Sequence, residues 1–228
     1  MLTEYLEKCR SNQFASFHGK RTVFRDLAAV DRVFRAMFDK AVNPRPLRPV
    51  GFFLRSHSAY LSAVSMVAAG QLIEASAVLR LSLEQAAYGH YIARDENRYE
   101  VWMRRGESEA ARKAVRTEFQ ARKIFNVLKS DDTTLAAIYD KLYEKLIDAG
   151  AHPNEFGAML STTVAESEKG DMSFDTIYLH QNGVPLDYWF RLCAQVGIWA
   201  LRAADLVYPE RSKLTRARYD LDALIARY

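Results

Sequence analysis

Between Leu72 and Arg94 the apolar residues fall on two opposite sides of a helix. Leu72, Leu79, Leu83 and Ala86 form one side; Val78, Leu81, Tyr88 and Ile92 form the other. A helix with two apolar faces must be buried between neighbours. Leu186–Val207 has the same character: Phe190, Cys193, Gly197, Ala200 and Ala204 make one stripe, and Trp189, Leu192, Val196, Trp199 and Leu206 an adjacent one. Its polar strip, with Asp187, Arg191, Gln195 and Arg202, is narrow. The two segments are expected at the centre of an all-α, antiparallel helical bundle.

The edges of the first segment carry different information. Small residues Ala75, Ser82, Gly89 and Ala93 follow one edge, where another helix can approach closely. Arg80 and Glu84 lie one turn apart on the other. On so apolar a helix this pair is expected to be mostly buried, bonded to itself or to a neighbouring helix.

Around this centre the chain divides at Asn43–Pro49, where three prolines at every second or third position forbid a regular helix. Residues 1–43 are read as an N-terminal helical arm, with Val23, Leu27, Val30, Phe34, Met37 and Phe38 at helical spacing. Residues 50–228 are read as the main bundle. Phe53, His57, Tyr60, Val64 and Val67 make one helical stripe, and Gly70 marks the turn into an antiparallel partner. Asp131 or Asp132 is placed to cap a helix carrying Leu135, Ile138, Leu142 and Leu146, which the sequence around Gly150 stops. Phe174–Leu179 is rich in β-formers without helical spacing, so one short strand or hairpin is expected near 172–180. A terminal amphipathic helix is expected over Leu214–Arg227.

Charge is unevenly spread. Lys20–Arg48 has eight basic and three acidic residues, Arg104–Lys129 again eight and three, and Asp131–Asp175 three basic and ten acidic. Basic segments can meet phosphates, or the acidic segment of the same fold. Apolar runs are interrupted well before the roughly 20 residues of a membrane span, so no membrane association is expected. The opening MLTEYLEKCR lacks a signal peptide's apolar stretch, and Cys9 and Cys193 show no pairing pattern. A cytoplasmic setting follows as the expectation.

For chemistry, His152 in Ile147–Asn154 places a titratable ring between the end of one helix and the start of another, with Asn154 able to cap the second. The plain alternative is a capping turn with an exposed histidine. His57 reads as a core residue with one satisfied nitrogen. Neither His57 nor His90 has a glutamate three residues before it, the pair that bundle metal sites use. No phosphate-loop, dinucleotide, nucleophile-elbow or zinc-protease motif occurs. No cofactor and no metal are expected.

Ser58–Ala63, then Gly70, Ala75, Leu79, Arg80, Leu83 and Glu84, then Ala86–Tyr88 and finally His152, Pro153 and Asn154 resemble a group of bacterial helical proteins. That group is similar in turn to the HEPN superfamily of helical nucleases and nucleotide-binding proteins. The resemblance spans roughly residues 50–160 and implies metal-independent RNA cleavage. A histidine would move a proton at the 2′-hydroxyl or the leaving oxygen, and an arginine would stabilise the phosphorane. In that superfamily the arginine precedes the histidine by a short spacer. Here the only arginine between Ala121 and His152 is Arg122, and the nearest preceding cation is Lys145. Arg80 would have to supply the charge from another helix. The candidate catalytic residues are therefore His152, Asn154, Arg80 and Glu84.

Two classes of function follow. The preferred one is a non-catalytic helical module that self-associates as a homo-oligomer or holds a partner. The alternative is a HEPN-like metal-independent ribonuclease of toxin or phage-defence type, reaching RNA through the basic segments. A cleft gathering His152, Asn154 and Arg80 within a basic rim would favour the second; scattered positions would favour the first.

Overall fold

The computed structural model describes residues 1–166 and 170–228. Their order is α1 (Leu2–Gly19), α2 (Arg21–Phe38), α3 (Val50–Ala69), α4 (Leu72–Ala93), α5 (Glu96–Met103), α6 (Glu109–Glu118), α7 (Ala121–Asp131), α8 (Thr133–Leu146) and α9 (Glu155–Ser161). A hairpin of β1 (Thr162–Glu166) and β2 (Met172–Thr176) follows, then α10 (Val184–Val207), α11 (Pro209–Leu214) and α12 (Ala217–Ile225). The fold is an all-α bundle with one small antiparallel hairpin. No described helix is long and apolar enough to cross a membrane.

The α3–α4 hairpin turns on Gly70, which is left-handed at φ 93°. A Cβ there would sit 2.2 Å from the carbonyl of His180, so both conformation and packing require glycine. All four carbonyls at the end of α3, which a helix leaves without partners, are satisfied. The amides of Gln71 and Gly70 bond Met66 and Val67, each at 2.9 Å. From α1, Ser16 Oγ donates to Ala68 at 3.0 Å and Asn12 Nδ2 to Ala69 at 2.9 Å.

Helices α3 and α4 meet along the small-residue edge of α4. Ser56 and Ser82 bond across the interface, and Gly89 lies under the ring of Phe53. α10 closes on the other side; at Gly197 a Cβ would lie 2.6 Å from Val30 and 2.8 Å from Tyr60. Both α4 and α10 are central, and α2 contributes Val30, Phe34 and Met37 to the same core. By contrast, the buried residues of α1 are two polar ones, Asn12 and Ser16.

Residues 107–129 hold two helices, α6 and α7, separated at Phe119 and Gln120. Two local expectations shift. The terminal helix expected over Leu214–Arg227 is shorter, α12 alone: α11, opened by Pro209, ends at Leu214, Arg216 adopts a left-handed φ of 59°, and α12 docks through the pair of Arg218 with Asp205 of α10. The strand begins where expected but ends at Thr176, because the chain then leaves the hairpin so that the His180 amide can reach the Gly70 carbonyl at 2.9 Å. Its partner β1 pairs in the register Val164 to Phe174, and the hairpin is almost wholly exposed.

Candidate functional site

Helix α8 starts cleanly because Asp132 accepts from the Leu135 amide at 2.8 Å. It ends in a kinked turn, residues 147–151, broken at the left-handed Gly150, that packs against α4. Several constraints hold this turn. Trp189 Nε1 donates to Ser76 Oγ, and Ser76 in turn donates to the Ala149 carbonyl, both at 2.9 Å. Gly150 has φ 108°, and a Cβ there would lie 2.6 Å from Ile73 Cγ2. Asn154 Nδ2 donates to the carbonyls of Ile147 and Asp148, while its Oδ1 caps α9 at the Gly157 amide. Asn154 is thus occupied with backbone and lies beneath the site rather than facing out from it.

The turn sets His152 over Arg80, one helical turn beyond Ser76. Arg80 makes three different side-chain contacts. Nε donates to Glu84 at 2.9 Å, Nη2 to the Tyr143 hydroxyl at 2.7 Å, and Nη1 meets His152 Nε2 at 2.7 Å. Its guanidinium also lies over the Tyr143 ring, 4.8 Å from the centroid. Three of five N–H donors are used, leaving two for a ligand. A guanidinium only donates, so His152 Nε2 must accept, and the ring carries its proton on Nδ1.

The Arg80–Glu84 pair is less buried than the apolar character of α4 suggests, with side chains 21% and 34% exposed. Tyr143 of α8 covers the Arg80 guanidinium on one side, and His152 meets it at the exposed edge. Burial pulls the Arg80 pKa down, but the charges and hydrogen bonds of Glu84 and Tyr143 together outweigh it, so the net direction is up. Burial, then the Glu84 charge, raises that of Tyr88.

The sequence candidates are therefore partly gathered. Arg80, Glu84 and His152 touch or share a partner; Asn154 positions the turn. Tyr143 is a member that sequence reasoning missed. Its one signal is the Tyr139/Tyr143 spacing, which puts two hydroxyl-bearing rings on the α8 face toward α4. A 270 Å³ depression between α7 and α8 adjoins Tyr143, with Arg122 on one side and Asp140 and Glu144 on the other. The rim is of mixed sign, not basic.

His57 and His90 are structural. His57 Nε2 pairs with Asp31 at 2.7 Å, and its ring stacks on Phe34. His90 is 0% exposed, with Nε2 at 2.8 Å from Asp131 and Nδ1 without a partner. Burial, then the nearby Arg94 charge, lowers the His90 pKa to about 4. Among the described residues no group of three or more His, Cys, Asp or Glu side chains could hold a metal ion.

Compared with known proteins, the chain matches no family model, no curated protein and no solved structure.

Proposed function

We propose that the Arg80–His152–Tyr143 cluster is a phosphodiester site and that the protein is a HEPN-like, metal-independent ribonuclease. One observation carries this: residues 72 positions apart bring Arg80 Nη1 and His152 Nε2 to 2.7 Å at an exposed surface. The chemistry follows from the donors. A phosphate engaging the two spare N–H groups of Arg80 draws the guanidinium away from His152 and uncovers the Nε2 lone pair. Nε2 then accepts the proton of the neighbouring 2′-hydroxyl. The 2′-oxygen attacks phosphorus, the 5′-oxygen leaves with a proton from solvent, and a 2′,3′-cyclic phosphate remains. Arg80 stabilises the charge that develops on the phosphorane, and Tyr143 and Glu84 hold Arg80 in place. The rim there is of mixed sign, so RNA would approach past Arg122, the residue of the basic segment 104–129 that borders the depression beside Tyr143.

The test compares the wild type with His152→Ala and Arg80→Ala on mixed RNA in the presence of chelator. Cleavage by the wild type alone, falling by ~10²-fold or more in the variants at unchanged melting temperature, is expected. Absence of cleavage by the wild type, or equal cleavage by all three, overturns the proposal.

A second reading, a non-catalytic module that self-associates in the cytoplasm, has its own observation. Phe14 and Phe17 of α1 are 61% and 58% exposed, and with Leu61 and Val64 of α3 they line a groove of 450 Å³. Sedimentation distinguishes the two: a dimer that Phe14→Glu with Phe17→Glu converts to monomer supports self-association, and a wild-type monomer excludes it.

A further inference from the structure

A second cavity lies on another flank of α8, where α8, α10 and α12 meet. Its volume is 230 Å³. The floor is Leu142, Ile198 and Trp199, all buried, and Ile225 and Tyr228 close the side. This floor has little polarity to satisfy. The Trp199 indole N–H is already given to the Leu135 carbonyl at 2.9 Å, and the Tyr228 hydroxyl to Asp26 at 3.2 Å.

The charged side chains that line the cavity have one sign. Lys141 and Lys145 stand one turn apart on α8, and Arg202 comes from α10. No carboxylate side chain lines it; Asp140 and Glu144 of the same helix face the α7–α8 depression instead. Among the described residues neither lysine has an ion-pair or hydrogen-bond partner. Arg202 is anchored by Nη2 to Asp132 at 3.0 Å, which fixes its plane and leaves other N–H groups open. Like charges at this helical spacing repel. Two unpaired lysines and a fixed guanidinium around an apolar floor form an arrangement that an anion with an apolar body would complete.

Size narrows the ligand. An apolar cavity of about 150 Å³ holds a benzene ring. The present one has room for a ring or an acyl chain of similar bulk plus a short charged substituent, and is below the range of roughly 300–1,000 Å³ typical of larger ligands. We propose that this cavity binds a small amphipathic carboxylate, with the apolar body on Trp199 and Ile198 and the carboxylate between Lys141, Lys145 and Arg202. It does not rest on the Arg80–His152 site.

The full chain labelled with nitrogen-15 provides the test, because Trp199 lines the cavity while Trp102 and Trp189 lie elsewhere and serve as internal controls. Benzoate and octanoate are titrated as the aromatic and acyl forms, with benzamide as the neutral isostere. The expected result is a saturable shift of the Trp199 indole signal by at least one carboxylate, with benzamide at least tenfold weaker. In the Lys141→Gln, Lys145→Gln double variant carboxylate affinity should fall at least tenfold at unchanged melting temperature. No movement of Trp199 with either acid, equal binding of benzamide, or undiminished binding by the double variant would each overturn the proposal.

Discussion

Ser56 and Ser82 each donate a hydroxyl hydrogen bond to the other's backbone carbonyl, at 2.8 and 2.9 Å, across the interface of α3 and α4. The exchange lets two helices meet on small side chains without leaving a buried hydroxyl unpaired. Ser82→Ala should cost about 1 kcal/mol, the usual net worth of one such bond. Ser82→Leu should cost about 3 kcal/mol, because no space exists for the added atoms. Urea denaturation of both variants checks this; a leucine variant as stable as the alanine variant would contradict the packing described.

Gly150 connects backbone conformation to the candidate site. With φ at 108° and Ile73 where a Cβ would go, Gly150→Ala should destabilise by ~2 kcal/mol. It should also displace His152 from Arg80, visible as a change in the His152 ring signals. Loss of stability with those signals unmoved would show that the turn does not position the histidine.

Glu84 provides a measure of how far solvent reaches the cluster. A fully buried pair broken on one side would lose about 3–5 kcal/mol. At 34% exposure, and with Tyr143 and His152 still on Arg80, Glu84→Gln should cost no more than about 1 kcal/mol. Thermal denaturation at low and moderate salt discriminates these values.

His90 makes stability depend on pH. Its folded pKa of about 4 lies below the unfolded value of about 6.5, so the unfolded chain binds the extra proton between them. The contribution is complete above pH ~6.5 and is lost as pH falls toward 4, by up to roughly 3 kcal/mol. Urea midpoints at pH 7 and 4.5 should therefore differ more for the wild type than for His90→Gln. Equal differences would assign the acid sensitivity to other groups.

Much of the bundle was legible in the sequence because it is written in local periodicity. The wide apolar circumferences of the segments at 72–94 and 186–207 identified the central helices, and Gly70 with its flanking stripes identified the hairpin. Single-residue conformations were harder to see. The left-handed Arg216 has no glycine to announce it, and β1 exists through its pairing with β2 rather than through its own composition. At the candidate site the residue types were visible but their meeting was not. Arg80 reaches His152 only because Ser76, Trp189, Ile73 and Asn154 bend the end of α8 back over α4, and no spacing encodes that. Tyr143 was hidden for the same reason.

The two α1 side chains that complete the end of α3 have a kinetic consequence. α1 has no fully buried apolar residue, so modest hydrophobic free energy opposes its lifting away; much of what opposes it is hydrogen bonding to α3, from Ser16 and Asn12 to the carbonyls of Ala68 and Ala69 and from Gln13 to Ser65, with Phe17 on Phe24 beside them. The helix should therefore open as a sub-global unit, its amides exchanging with solvent well before those of α4 and α10. Because the bonds are shared, each opening also releases the last turn of α3, and Asn12→Ala should accelerate exchange on both sides of the contact. Protection in native-state hydrogen exchange would then map a cooperative unit that spans the end of α3 and all of α1, rather than one confined to a single helix.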